Sequence, residues 1–292
     1  MRVLFVTQEM DPYTLVTEIS EVFKKIPQFV NDKNHEIRVL MPKYGTINER
    51  RHRLHEVVRL SGMNIIVNDE DYPLIIKVAS IPGARLQVYF LDNDEFFKRK
   101  HMFTNDNNEP FEDNAERLVF FCKGAMETVK KFGWPPEIVH CHGAFTALIP
   151  LYIKKVYQND PIFRHSKVVY SSYTDLVSST LNNQFGKIAA INDISEEDLA
   201  PFMKEGKIDL NAGAIYYADG IITGKEELQA EITQSAGDKP VLGFDKDSNH
   251  PAAVEGFYHQ FIEAVKSYYE NQIFIFCCCH EPFAIFMPAP QQ

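Results

Sequence analysis

Three patterns in the sequence predict an α/β fold: a single Rossmann-like domain with a parallel sheet and an inserted antiparallel hairpin region. The first is a β-α-β opening over residues 2–42, the rhythm that builds parallel sheets. The second is the return of strand–helix alternation from Asp113 onward. The third is a set of short strand-like pieces between 55 and 91, where turn residues stand in place of helices.

Residues 2–7 (RVLFVT) form the continuous apolar run of a strand buried on both faces. Over 18–31, Ile19, Val22, Phe23, Ile26 and Phe29 recur at three- and four-residue spacing, which predicts a helix. Residues 36–41 (EIRVLM) read as a second strand, closed by Pro42. HEVVRL, MNIIVN, YPLIIKVAS and RLQVYFL follow, separated by Gly62, the Asn68–Asp71 turn and Pro82-Gly83, as in antiparallel hairpins. Residues 100–112 are rich in Asn and Asp and read as a loop. Asp113 then caps a helix, with Glu116 completing a capping-box pattern. Leu118, Cys122, Ala125, Met126 and Val129 line its apolar face. Further strands are expected at 137–141, 167–172, 219–223 and 240–243, and helices at 144–157, 196–203, 210–218, 225–235 and 251–268. No internal repeat or linker separates a second domain, so the domain is placed at 1–268.

Residues 269–292 are an atypical apolar tail, β-prone and closed by prolines. Its Cys277, Cys278, Cys279 and His280 are adjacent, and three consecutive side chains do not easily converge on one ion. No metal and no cofactor is expected. A formal charge of −10 argues against a nucleic-acid or membrane-surface partner. The basic run Arg50, Arg51, Arg53 is isolated and reads as a solvated face. No window approaches the roughly 20 apolar residues that span a bilayer, and the N-terminal run turns acidic too early for a secretory signal. The five cysteines fit neither a disulfide framework nor a zinc-site spacing, so a cytoplasmic location is expected.

The strand at 137–141 runs out into His140-Cys141-His142 just before a helix. That places paired imidazoles at the carboxyl edge of the sheet, where open α/β folds bind ligands. Alternate residues on a strand share a face. His140 and His142 therefore suit either a ligand site or a hydrogen-bonded structural pair. Glu9, just past the first strand, is a loop tether or a ligand-binding carboxylate, and Asp113 reads first as a helix N-cap. Tyr13, Tyr44 and Tyr173 follow strands and are candidates for a ligand-facing rim. Other aromatics, such as Phe120-Phe121 and Tyr216-Tyr217, stand at periodic positions and read as core. No Walker-type loop, Gly-x-Gly-x-x-Gly or nucleophile–base arrangement occurs.

Several ordered segments resemble the N-terminal catalytic domain of bacterial glycogen and starch synthases, retaining glycosyltransferases of the two-lobed GT-B type. They are RVLFVTQEMDPY, EIRVLMPKYG, VYFLDNDEFFKR, and DNAERLVFFCKGAMETV followed by EIVHCHGAFTALIPLYIK. LNAGAIYYADGIITGKEELQAEI is a weaker fifth, similar to the segment that carries "YAD…TTVS" in the family. The resemblance implies glucosyl transfer from ADP-glucose or UDP-glucose to the non-reducing end of an α-1,4-glucan. By it, His142 and Asp113 are the catalytic candidates. Glu9, Tyr13, His140, Thr146 and Tyr173 are the substrate-binding candidates.

The departures bear on activity. Where the family carries Lys-x-Gly-Gly-Leu against the nucleotide diphosphate, this chain reads Leu15-Val16-Thr17-Glu18-Ile19. The segment has no lysine for a phosphate and no glycine for close backbone approach. Glu18 places a carboxylate there instead, and two like charges about 4 Å apart repel by roughly 4 kcal/mol at an effective dielectric near 20, about a thousandfold in binding. His-Asp-Trp-His-Thr becomes His142-Gly143-Ala144-Phe145-Thr146, and SSYTDL (171–176) replaces a Thr-Ile-His-Asn-like segment. The second lobe, which supplies most nucleotide contacts in the family, is not expected within this sequence. Three readings follow: an impaired glycosyltransferase domain, with the missing lobe supplied by another chain; a non-catalytic glucan-binding or regulatory relative; and an interaction protein whose open lobe face takes a protein partner.

Overall fold

The computed structural model describes residues 1–81, 83–84, 86–244 and 250–263. Strand β1 (Arg2–Thr7) is buried from Val3 onward, as its unbroken apolar run predicts. Helix α1 (Glu18–Asp32) opens at Thr17, whose hydroxyl accepts from Ser20 N while Ser20 Oγ accepts from Thr17 N. This reciprocal cap satisfies two backbone donors that a helix start otherwise leaves open. Helix α1 buries Ile19, Phe23, Ile26 and Val30 and returns the chain to β2 (Glu36–Pro42), parallel to β1.

After the exposed turn α2 (Glu49–His52) come β3 (His55–Glu56), β4 (Met63–Val67), β5 (Glu70–Ser80) and β6 (Gln87–Asp92). Strand β5 runs antiparallel to β3, β4 and β6, as hairpins do. Strand β6 nevertheless lies parallel to β2. The hairpin region therefore lengthens the main sheet instead of standing apart from it.

The remaining elements are α3 (Asp94–Phe97), α4 (Asn114–Phe132), β7 (Ile138–His142), α5 (Leu148–Lys155), β8 (Lys167–Ser172), α6 (Phe185–Ala189), α7 (Glu196–Leu199), β9 (Met203–Lys204), β10 (Lys207–Ile208), α8 (Leu210–Tyr217), β11 (Gly220–Thr223), α9 (Gln229–Ala236) and β12 (Val241–Leu242). Residues 250–263 form a further helix, α10. The sheet order is β12-β11-β8-β7-β1-β2-β6-β5-β3, with β4 beside β5. Strand β1 thus has β2 on one side and β7 on the other, both parallel to it. The chain leaves β1 in one direction and later returns on the opposite side. This is a topological switch point, the position of the ligand crevice in open α/β sheets.

The expected apolar face of α4 is observed: Leu118, Cys122, Ala125, Met126 and Val129 are all fully buried. Burying a side chain of the Leu, Met or Val class contributes about 1.5–3 kcal/mol, so this face anchors the helix. Four local expectations are corrected. Asp113 makes no side-chain cap to α4, because its carboxylate turns to Arg99. The helix expected over 144–157 splits into a 3₁₀ turn (Ala144–Thr146) and α5. The helix expected over 196–203 ends in a 3₁₀ turn with Pro201 inside it, and Met203 enters the small β9–β10 hairpin. Tyr216 is 61% exposed and is not core. Residues 264–292, with the apolar tail and its cysteines, lie outside the described residues.

Candidate functional site

At this position the loops after β1 and β7 are held together by Gln8. Its backbone N–H donates to His142 O at 3.3 Å, and its side-chain oxygen accepts from Phe145 N at 3.0 Å. Its amide nitrogen donates to Glu9 Oε1 at 2.7 Å. The other Glu9 oxygen accepts from the Thr17 hydroxyl at 2.5 Å, so one buried carboxylate ties the end of β1 to the start of α1. Gly143 makes the clasp possible. Its φ is +83°, and a Cβ there would lie 2.5 Å from Gln8 Oε1.

His140 and His142 point to one side of β7, their ring centroids 3.9 Å apart, and both are fully buried. His140 has both nitrogens engaged: Nδ1 with Tyr258 Oη at 2.5 Å, and Nε2 with Ser171 Oγ at 2.7 Å. No nitrogen of His140 is left for a ligand. His142 differs. Its Nδ1 lies 3.4 Å from Tyr173 Oη, and its Nε2 has no hydrogen-bond partner among the described residues. Burial holds both imidazoles well below their ordinary pKa, and for His142 the charge of His140 adds to the effect. Both rings are neutral near pH 7. Burial also raises the Tyr173 phenol, so it stays protonated and faces His142 Nδ1 as a neutral hydroxyl. Nε2 is thus the ring nitrogen of the pair that is open to a ligand.

The other sequence candidates separate. Tyr13 is buried after β1, packed edge-on to His52 and Phe90, with its hydroxyl unpartnered and its pKa pushed up to about 12 by burial. Thr146 is fully buried and donates to Gly143 O at 2.8 Å, closing the turn after β7. Tyr173 joins the site through its ring, while its carbonyl accepts from Asn211. Asp113 forms a two-pronged pair with Arg99 at 2.7 and 2.5 Å and belongs to a neighbouring cluster. Tyr44, expected at the rim, is fully buried with an unpartnered hydroxyl. A cleft of about 950 Å³ opens beside Tyr173, past Asp175, Asn182 and Asn183, to the β9–β10 hairpin.

Sequence reasoning passed over Gln8, Ser171, Thr223, Tyr258, Arg117 and Lys225. Arg117 is fully buried over the Phe97 and Phe111 rings, donates to Phe96 O, and burial lowers its pKa to about 10. One of its terminal nitrogens, like Thr223 Oγ1 at the end of β11, lacks a partner among the described residues. Only Gln8 carried a local signal, as a polar residue directly after a buried strand.

At the N-terminus of α1, Leu15 and Val16 are exposed, at 86% and 68%. Glu18 is paired with Lys225 Nζ at 2.5 Å. The segment Leu15–Ile19 carries no lysine of its own, but Lys225 from the segment after β11 reaches it and is taken by Glu18.

A protein-family model described as starch synthase catalytic domain matches residues 2–244. The glycogen synthase of Chlorobium limicola is 38% identical over 169 residues, covering 58% of this chain and 35% of that protein. The glycogen synthase of Chlorobaculum tepidum is 31% identical over 264 residues, covering 88% of this chain and 51% of its own length. The chain thus spans about half the length, or less, of the curated relatives it matches. Among solved structures, the catalytic domain of starch synthase IV from Arabidopsis thaliana, bound to ADP and acarbose, shares the fold with a TM-score of 0.64 at 17% identity. That match covers 83% of this chain and 50% of the other. No described helix is long and apolar enough to cross a membrane.

Proposed function

The chain belongs to the starch synthase catalytic domain family, and on that premise we propose that its sheet edge handles glucose units in transfer from ADP-glucose or UDP-glucose to an α-1,4-glucan. His142 carries this reading. A buried polar nitrogen without a partner is unfavourable by about 1–3 kcal/mol, and a sugar hydroxyl, which can donate or accept, would satisfy it. In this proposal His142 Nε2 meets the sugar hydroxyl, Tyr173 holds the ring, and Glu9 and Tyr13 border the same crevice. His140 supports His142 from behind, and the Asp113–Arg99 pair shapes the wall near α4. The cleft beside Tyr173, with its Asn and Asp side chains, suits a glucan chain.

Transfer also requires positive groups where charge gathers on the departing diphosphate. Leu15–Ile19 supplies none, and Lys225 is engaged by Glu18. Donor binding by these residues alone is therefore weak, and the reaction is impaired without further cationic groups. The same ion pair supports a second reading, a non-catalytic glucan-binding or regulatory protein whose exposed Leu15, Val16 and Leu176 meet a protein partner.

Radiolabelled ADP-glucose with glycogen separates the two. Incorporation into glycogen is expected for the first reading. No incorporation, combined with retardation of the protein in a glycogen affinity gel, selects the second. Absence of both rejects glucan handling altogether.

A further inference from the structure

Away from the crevice, His35, Glu255 and His259 bring three donor atoms within 4.8 Å of one another. His35 lies in the turn between α1 and β2, while Glu255 and His259 stand four residues apart on α10 and so share one helix face. Both histidines approach the same carboxylate oxygen: His35 Nε2 lies 2.9 Å from Glu255 Oε1, and His259 Nε2 lies 2.8 Å from it. Their ring planes are inclined by 60°. The His35 ring is oriented by its other nitrogen, which faces the Met1 nitrogen at 3.3 Å.

We propose that His35, Glu255 and His259 are a zinc(II) site, with two imidazoles and one carboxylate as ligands, that clamps α10 to the first β-α-β unit. Ligand bonds of about 2.0–2.2 Å in a tetrahedral shell place donor atoms roughly 3.3 Å apart, so the two His–Glu spacings of 2.9 and 2.8 Å must widen slightly, with all three donors already within 4.8 Å of one another. Two imidazoles select zinc over the hard cations magnesium and calcium, which prefer oxygen donors. The His259 side chain is 46% exposed, which leaves a fourth position open to water.

The clamp has a consequence for the crevice. Tyr258, next to His259, is the residue that holds His140 Nδ1. Phe257 and Phe261 of the same helix sit against Gly220 at the start of β11, where an added Cβ would lie 2.4 Å from the Phe261 ring. Metal binding at one face of α10 thus tightens the support of the histidine pair at the other.

The full chain tests this in a background with Cys277, Cys278 and Cys279 changed to Ser and His280→Asn, which removes competing donors. Zinc chloride is titrated against a chromophoric chelator. One zinc per chain is expected, with X-ray absorption showing a shell of nitrogen and oxygen only. His259→Asn and Glu255→Gln should each weaken zinc binding by at least about tenfold, since even indirect support of a ligand is worth that much. Zinc should raise the melting temperature and slow amide exchange across 250–263 in the parent and in neither variant. Undiminished affinity in both variants, or no zinc bound in the parent, would overturn the proposal. Glu255→Gln preserves the packing of the helix, so a folding defect in the His259 variant leaves the test intact.

Discussion

The two ends of the sheet edge contrast sharply in how their polar groups are treated. At the β7 end, Gln8, Glu9, His140, His142 and Tyr173 are buried and connected, and the glycine they require is in place. At the α1 end, Leu15 and Val16 face solvent, and the charge of Glu18 is met by a single lysine. Burial explains the difference. Removing a partner from an interior network leaves an unsatisfied group at a cost of about 1–3 kcal/mol, so such networks tolerate little change. A half-exposed ion pair contributes only about 0–1 kcal/mol, so an exposed loop can exchange its chemistry while the fold stays stable. Folding stability therefore constrains the interior site far more than the loop.

The strongest test of this contrast is Gly143→Ala. The strained φ and the contact with Gln8 should together reduce stability by about 2–4 kcal/mol in urea unfolding, and a change below about 1 kcal/mol would show that the clasp is not rigid. The next is pH. His140 and His142 have folded-state pKa values depressed by burial below the unfolded value of about 6.5. Stability should be fully present above that pH and decline as the pH falls below it, because the unfolded chain then binds protons that the folded one refuses. Each histidine contributes up to about 1.4 kcal/mol per pH unit, and His140→Gln should flatten the slope measured by unfolding between pH 5 and 7.

His142→Phe sharpens the distinction between structure and function. The substitution removes the unpartnered Nε2 but also takes Nδ1 from the Tyr173 hydroxyl, so stability should fall by no more than about 1–3 kcal/mol, while affinity for a malto-oligosaccharide falls about tenfold in calorimetry. Loss of stability with unchanged binding would make His142 structural. The smallest effect on folding is expected from Glu18. Glu18→Gly with Leu15→Lys should move stability by less than about 1–2 kcal/mol yet strengthen ADP-glucose binding, and no gain in calorimetry would count against this loop as the diphosphate end.

Much of this architecture was legible from local pattern. The strand and helix bounds through β1, α1 and β2 agree with the periodicity to within a residue, because alternation and 3.6-residue spacing are properties of neighbours in sequence. The polar strand end was legible too, since His140-Cys141-His142 closes an apolar strand before a helix. The partners were not. Asp113 had an ordinary capping pattern, but Arg99 reaches it across the loop and a charge-assisted pair prevails over a cap. The division of labour between His140 and His142 depends on Ser171 and on Tyr258, the latter 118 positions away.

The sequence by itself determined the α/β alternation, the buried faces of α1 and α4, and the segments that mark the family. It also placed histidines at a strand end. Tertiary structure alone decided that Lys225 meets Glu18, that Tyr258 closes one histidine and leaves the other open, and that His35 meets Glu255 across 220 positions. The reason is geometric. Periodicity is written within a few residues, whereas a contact between distant side chains exists only once sheet order and register have brought their elements together.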